Sequence, residues 1–145
     1  MEWRKSLWNI QKEGKAGTHW DQSPEAGLAG EAFLDGSARP ADNPRFRTAS
    51  WAVSNEAGEC LDAGQSSGRP QTINRAETES LLGALRLFER LKAWSDSAYV
   101  VKMFSAIANK TCLKAWPLIK NGDLWKKVAA MMKGREPNSV EVKER

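Results

Sequence analysis

Two apolar stretches of this chain end on an aspartate, and the apolar stripe of its longest helical pattern carries a glutamate. Ala32-Phe33-Leu34 runs into Asp35-Gly36-Ser37, and Lys92-Ala93-Trp94-Ser95 runs into Asp96-Ser97. Glu77 falls on one helical line with Leu81, Ala84, Leu85 and Phe88. A lone negative charge is costly at such positions. A fold that holds all three close together needs cations between them, so the pattern points to a metal-dependent site.

The rest of the composition narrows the class. With 145 residues, 41% hydrophobic and 28% charged, the chain suits one soluble globular domain with a real core. No apolar run approaches the roughly 18 residues of a spanning helix, so no membrane partner is expected. Met1 to Trp8 lacks the apolar core and cleavage site of a secretory signal. Cys60 and Cys112 form no Cys-x-x-Cys pair, which supports neither a disulfide framework nor a zinc finger. An intracellular, reducing setting, cytoplasm or nucleus, is the expectation. The net charge of +4 is unevenly spread: residues 105–145 carry nine basic against four acidic side chains, and the remainder is nearly balanced. Such a segment suits a polyanion gripped beside an acidic site, or is simply a solvated lysine-rich helix face.

Residues 1–29, broken by Gly14, Gly17, Pro24 and Gly27, read as a tail of unassigned role, either a flexible arm or a docking segment through Trp3, Trp8 and Trp20. Residues 30–145 read as the domain. Ala32 to Leu34 is a buried strand that stops at the Asp35-Gly36-Ser37 loop. After a basic loop (residues 39–47), Thr48–Ser54 and Glu59–Gln65 are strands joined by the Asn55–Gly58 turn. Asn74 caps a helix reaching about Leu91, on which Glu79 points roughly 160° from Glu77 and is expected to be solvated. A strand ending at Asp96, a helix from Tyr99 to about Ala108, a helix from Leu124 to Lys133 capped by Asp123, and a strand from Val140 complete the pattern. The order β-β-β-α-β-α-α-β predicts an α/β fold: a mixed sheet that opens as a hairpin meander, continues through αβ units and carries helices packed on it.

Carboxylates drawn from two strand ends and a helix raise one another's pKa unless divalent cations intervene. Oxygen ligands without His or Cys suit Mg2+ or Mn2+. Two such ions about 4 Å apart support attack of water on a phosphodiester with no protein nucleophile. The single histidine, His19, lies in the tail.

Asp35-Gly36-Ser37, Thr72-x-Asn74-Arg75-Ala76-Glu77, Ser95-Asp96-Ser97-x-Tyr99 and Asn121-x-Asp123-Leu124-Trp125 together resemble ribonuclease H, from about Ala32 to the end of the sequence. The resemblance implies a ribonuclease H-like fold and an endonuclease that cuts the RNA strand of RNA–DNA hybrids with two Mg2+ ions. Asp35, Glu77 and Asp96 would be its catalytic, metal-binding carboxylates. Gly36 and Ser37 would bring backbone close to the RNA strand, and Asn74 would approach the 2′-hydroxyls of the minor groove. Thr72 and Asn121 would hold a DNA-strand phosphate or, equally, serve as loop and helix caps. Trp116 would line the DNA channel, while Trp125 would pack in the core.

Two departures stand out. Ile73 occupies a place that is usually polar in the family. The family also continues past its last strand into a His-bearing loop and a final helix that begins with a fourth carboxylate. In this sequence, which runs to Arg145, no residue is assigned to those roles. Loss of that ligand would weaken one ion and bare one face of the sheet. The activity would then be weak, or the domain would be a non-catalytic remnant that binds hybrids. Protein partners are not legible.

Overall fold

The strand Thr48–Ser54, buried along most of its length, sets the centre of the fold. Ala49, Trp51 and Val53 turn inward, and their strand pairs on both sides. The computed structural model describes residues 28–39, 47–68, 71–110 and 115–145. Within them the elements are β1 (Ala29–Arg39), β2 (Thr48–Ser54), β3 (Cys60–Gln65), α1 (Ile73–Leu87), β4 (Arg90–Ser95), α2 (Ala98–Ala108), α3 (Gly122–Met132) and β5 (Val140–Glu144), with a 3-10 turn at Trp116–Leu118 before α3. They form one five-stranded sheet in the order β3-β2-β1-β4-β5. The expected mixed α/β architecture and element order are present. No helix among the described residues is long and apolar enough to cross a membrane. His19 and the tail tryptophans, like most of the basic loop, lie outside the described residues.

β1 to β3 form an antiparallel meander. Its turn places Gly58 at φ 82°, and Asn55 accepts the Glu59 amide at 2.9 Å. β4 pairs parallel to β1 and β5 parallel to β4, each across a helical connection. α1 lies across β1 and β2, and Trp51, fully buried, fits beneath it against Gly83. Leu81, Ala84, Leu85, Leu124, Trp125 and Val128 join it in the core. Trp125 packs inside, as its place one turn into a helix predicts.

Several boundaries differ from the sequence reading. β1 does not stop at Asp35: it pairs with β2 through Gly36, Ser37 and Arg39, because the antiparallel partner outlasts the parallel one. α1 starts at Ile73 under a Thr72 cap, not at Asn74, because the Thr72 hydroxyl accepts the Arg75 amide at 3.2 Å. It also ends at Leu87, since Phe88 is extended and Arg90 already begins β4. There the Arg135 guanidinium donates to the carbonyls of Leu85, Phe88 and Glu89 at 2.7–2.8 Å, satisfying acceptors the helix leaves open. α3 is entered through Asn121 in the left-handed region (φ 58°), and Asp123 lies in its first turn instead of capping it.

Candidate functional site

The parallel ladder between β1 and β4 ends with the pair Leu34–Ser95. One residue further, Asp35 and Asp96 follow on the two diverging strands, and a fork opens between them. Glu77, one turn into α1, enters that fork. Its carboxylate accepts the Gly36 amide at 3.0 Å through Oε1, and the Ser95 hydroxyl lies 3.5 Å from Oε2. A Cβ on Gly36 would stand 2.8 Å from the Glu77 amide nitrogen, so the strand and helix can meet here only through glycine.

Glu77 is 6% exposed. Burial pushes its carboxyl up to about 7; the Gly36 amide opposes this, and the charges of Asp35 and Asp96 push it further up. The three predicted carboxylates therefore share one electrostatic site, with Asp96 open to solvent. A hard cation would relieve this repulsion, and an oxygen-only donor set suits Mg2+ or Mn2+. Among the described residues, no three His, Cys, Asp or Glu side chains form a group ready to hold a metal ion.

The other predicted residues lie on the surfaces around the fork. Ser37 is exposed on β1, Asn74 is half-buried in the first turn of α1, and Ile73 beside it is 51% exposed. Thr72 and Asn121 line a cleft of about 280 Å3 together with Arg75, Trp116, Lys120 and Asp123. Thr72 caps α1 there. Asn121 Oδ1 accepts from Arg75 at 3.3 Å, whereas its Nδ2 is buried without a hydrogen-bond partner among the described residues. A buried donor left open beside a cleft suits an anionic acceptor. The loop before α3 is held from the other side as well: Trp125 Nε1 donates to Tyr99 Oη at 2.9 Å, and Tyr99 Oη donates to the Lys120 carbonyl at 2.8 Å.

Glu79 corrects the sequence reading. It is not solvated but fully buried. The helical wheel assumed one covered face, whereas α1 is covered by the sheet on one side and by residues 66–68 on the other. Ser66 Oγ donates to Glu79 Oε1, and the Ser67 amide and hydroxyl donate to Oε2, each at 3.1 Å. Burial raises this carboxyl, and the two serines and Arg75 counter it. Arg75 was the other omission. Its guanidinium donates to the Ser67 carbonyl, to Asn121 and to both oxygens of Asp123, at 3.1 and 2.7 Å. Asp123 raises the Arg75 pKa, and Arg75 lowers that of Asp123. The available signal was Arg75 one position from the inward Ala76, where an unpaired cation would be costly.

The sequence model of the RNase H family matches residues 29–143. Among solved structures, LC11-RNase H1 in complex with RNA/DNA hybrid aligns at TM-score 0.51 and 19% identity, over 79% of this chain and 83% of that one. The solution structure of the PFV RNase H domain aligns at 0.53 and 18%, covering 81% and 79%. The foamy viral protease-reverse transcriptase in complex with dsDNA aligns at 0.56 and 14%, covering 84% of each. At these identities the likeness speaks for the fold. No curated protein sequence matches significantly. The family match spans most of the chain, and the chain belongs to the RNase H family.

Proposed function

We propose that this chain hydrolyses the RNA strand of RNA–DNA hybrids, with Asp35, Glu77 and Asp96 holding Mg2+, or Mn2+, at the fork between β1 and β4. The observation that carries this reading is the buried Glu77 carboxyl, raised to about 7 and pressed by two further carboxylates at a strand divergence. Divalent ions bound there would activate a water and stabilise the departing 3′ oxygen. The chain's own groups do the positioning. The Gly36 amide and Ser95 hydroxyl fix the direction of Glu77. Gly36 and Ser37 offer backbone without bulk to the RNA strand. Asn74 meets 2′-hydroxyls in the minor groove, where Ile73 adds an apolar contact in place of a hydrogen bond. Thr72 and the side-chain amide of Asn121 hold a phosphate of the DNA strand, with Trp116 beside them and the exposed Lys120, Lys126 and Lys127 lending positive charge. One similar structure, LC11-RNase H1, was solved with an RNA/DNA hybrid.

The test is cleavage of a labelled hybrid in Mg2+, with EDTA and Asp35→Asn as controls. Cutting of the RNA strand, lost in both controls, is the expected result. Tight binding with no cutting above the Asp35→Asn background would replace this reading with a hybrid-binding domain that does not cleave. Equal cutting of duplex DNA would replace it with another nuclease of the same fold.

A further inference from the structure

A fully buried carboxylate lies outside the proposed metal site, and its hydrogen bonds lead elsewhere. Glu79 ties Ser66 and Ser67 to α1 through three donors. The same short segment is bound at two other points: the Ser66 amide donates to the Ala49 carbonyl at 2.8 Å, and Gln71 Nε2 donates to the Ser66 carbonyl at 2.9 Å. The Ser67 carbonyl accepts Nε of Arg75, one turn before Glu79 on α1. Gly68, at φ 72°, lets the loop pass over that guanidinium, since a Cβ there would stand 2.7 Å from Arg75 Nη2. Nη1 and Nη2 of Arg75 then reach Asn121 and Asp123 at the start of α3.

We infer that Glu79 is a positioning residue for the phosphate cleft: through Ser66 and Ser67 it fixes the loop that orients Arg75, and Arg75 fixes Asn121. The argument is geometric. Asn121 occupies a left-handed backbone conformation, and its Oδ1 is held by Arg75, which fixes the amide group and leaves Nδ2 buried at the cleft wall without a partner among the described residues. Without Glu79 the serine amide and hydroxyls lose their acceptor, the loop shifts, and Arg75 is free to follow Asp123 alone. Asn121 then turns, and the cleft loses its aimed donor. A buried negative charge is not required for the fold itself, since a buried ionic group can be replaced by an apolar side chain of similar volume.

This inference rests on the proposed hybrid substrate, and its experiment separates the two. Binding of a fluorescent RNA–DNA hybrid is measured in Ca2+, and cleavage in Mg2+, for wild type, Glu79→Gln, Asn121→Ala and the double variant. Ser67→Ala, which cuts the same tie at its far end, stands in should Glu79→Gln not fold. Expected are a Kd and KM raised about fivefold by Glu79→Gln, a kcat within about twofold of wild type, and a double variant no worse than Asn121→Ala. Additive losses, an equal fall in kcat, or an Asn121→Ala variant that binds like wild type would each overturn the positioning role while leaving the hydrolase reading intact. A wild-type chain that binds no hybrid would overturn both.

Discussion

Glu77 carries a charge where burial and two like charges oppose it, and this has a measurable sign. Its native pKa of about 7 lies above the ordinary glutamate value of 4.5. The folded state therefore holds its proton more readily than the unfolded state between those values. Stability falls as pH rises through that window, and the full penalty is present above it. In EDTA, Glu77→Gln is expected to match wild type near pH 4 and to exceed it by on the order of 2 kcal/mol at pH 8, read from urea unfolding. A gain that is constant with pH would contradict the assignment. Gly36 is as constrained as Glu77. Gly36→Ala must push β1 off α1, with an expected loss of about 1–3 kcal/mol in the same assay and of hybrid cleavage. Asp35, Glu77 and Asp96 were legible in the sequence because each interrupts an apolar pattern. Glu79 was not, because angular position on a helix says nothing about a loop that returns to cover the far side.

Among the elements, β1 shows how a local signal is overridden. Asp35-Gly36-Ser37 has turn composition, yet the ladder with β2 continues through it to Arg39. The sequence held no sign that one edge of a strand would outlast the other. The ends of α1 were misjudged for related reasons: the first hydroxyl able to cap it is Thr72, and its far end is set by a residue nearly fifty positions away. Arg135 spends its donors on backbone carbonyls at the C-terminus of α1 and on Met131. A lysine cannot reproduce that planar fork. Arg135→Lys is expected to cost about 2–3 kcal/mol, seen as a lowered midpoint in thermal or urea unfolding, while hybrid binding per folded molecule is unchanged.

For the whole molecule, the order of strands and helices was recoverable from periodicity, and the acidic fork follows from that order: β1 and β4 are neighbours only because the chain crosses the sheet through α1. The basic excess lies largely on exposed lysines of the last quarter, and the acidic site lies elsewhere. Hybrid affinity should therefore fall steeply with added salt, while the metal requirement of cleavage should not. Mg2+ should also stabilise wild type against heat, by about 1.4 kcal/mol when present at ten times its Kd, and should leave Asp35→Asn unmoved. Equal melting shifts in the two proteins would show that the ion binds elsewhere.

The amide of Gly36 has a further consequence. It donates its hydrogen bond to a side-chain carboxylate where a neighbouring strand's carbonyl would ordinarily accept it. Hydrogen exchange at this one position therefore reports on the charge and occupancy of Glu77, apart from the slow breathing of the sheet around it. A single NMR resonance could follow ion binding, proton uptake and substrate docking without any added label.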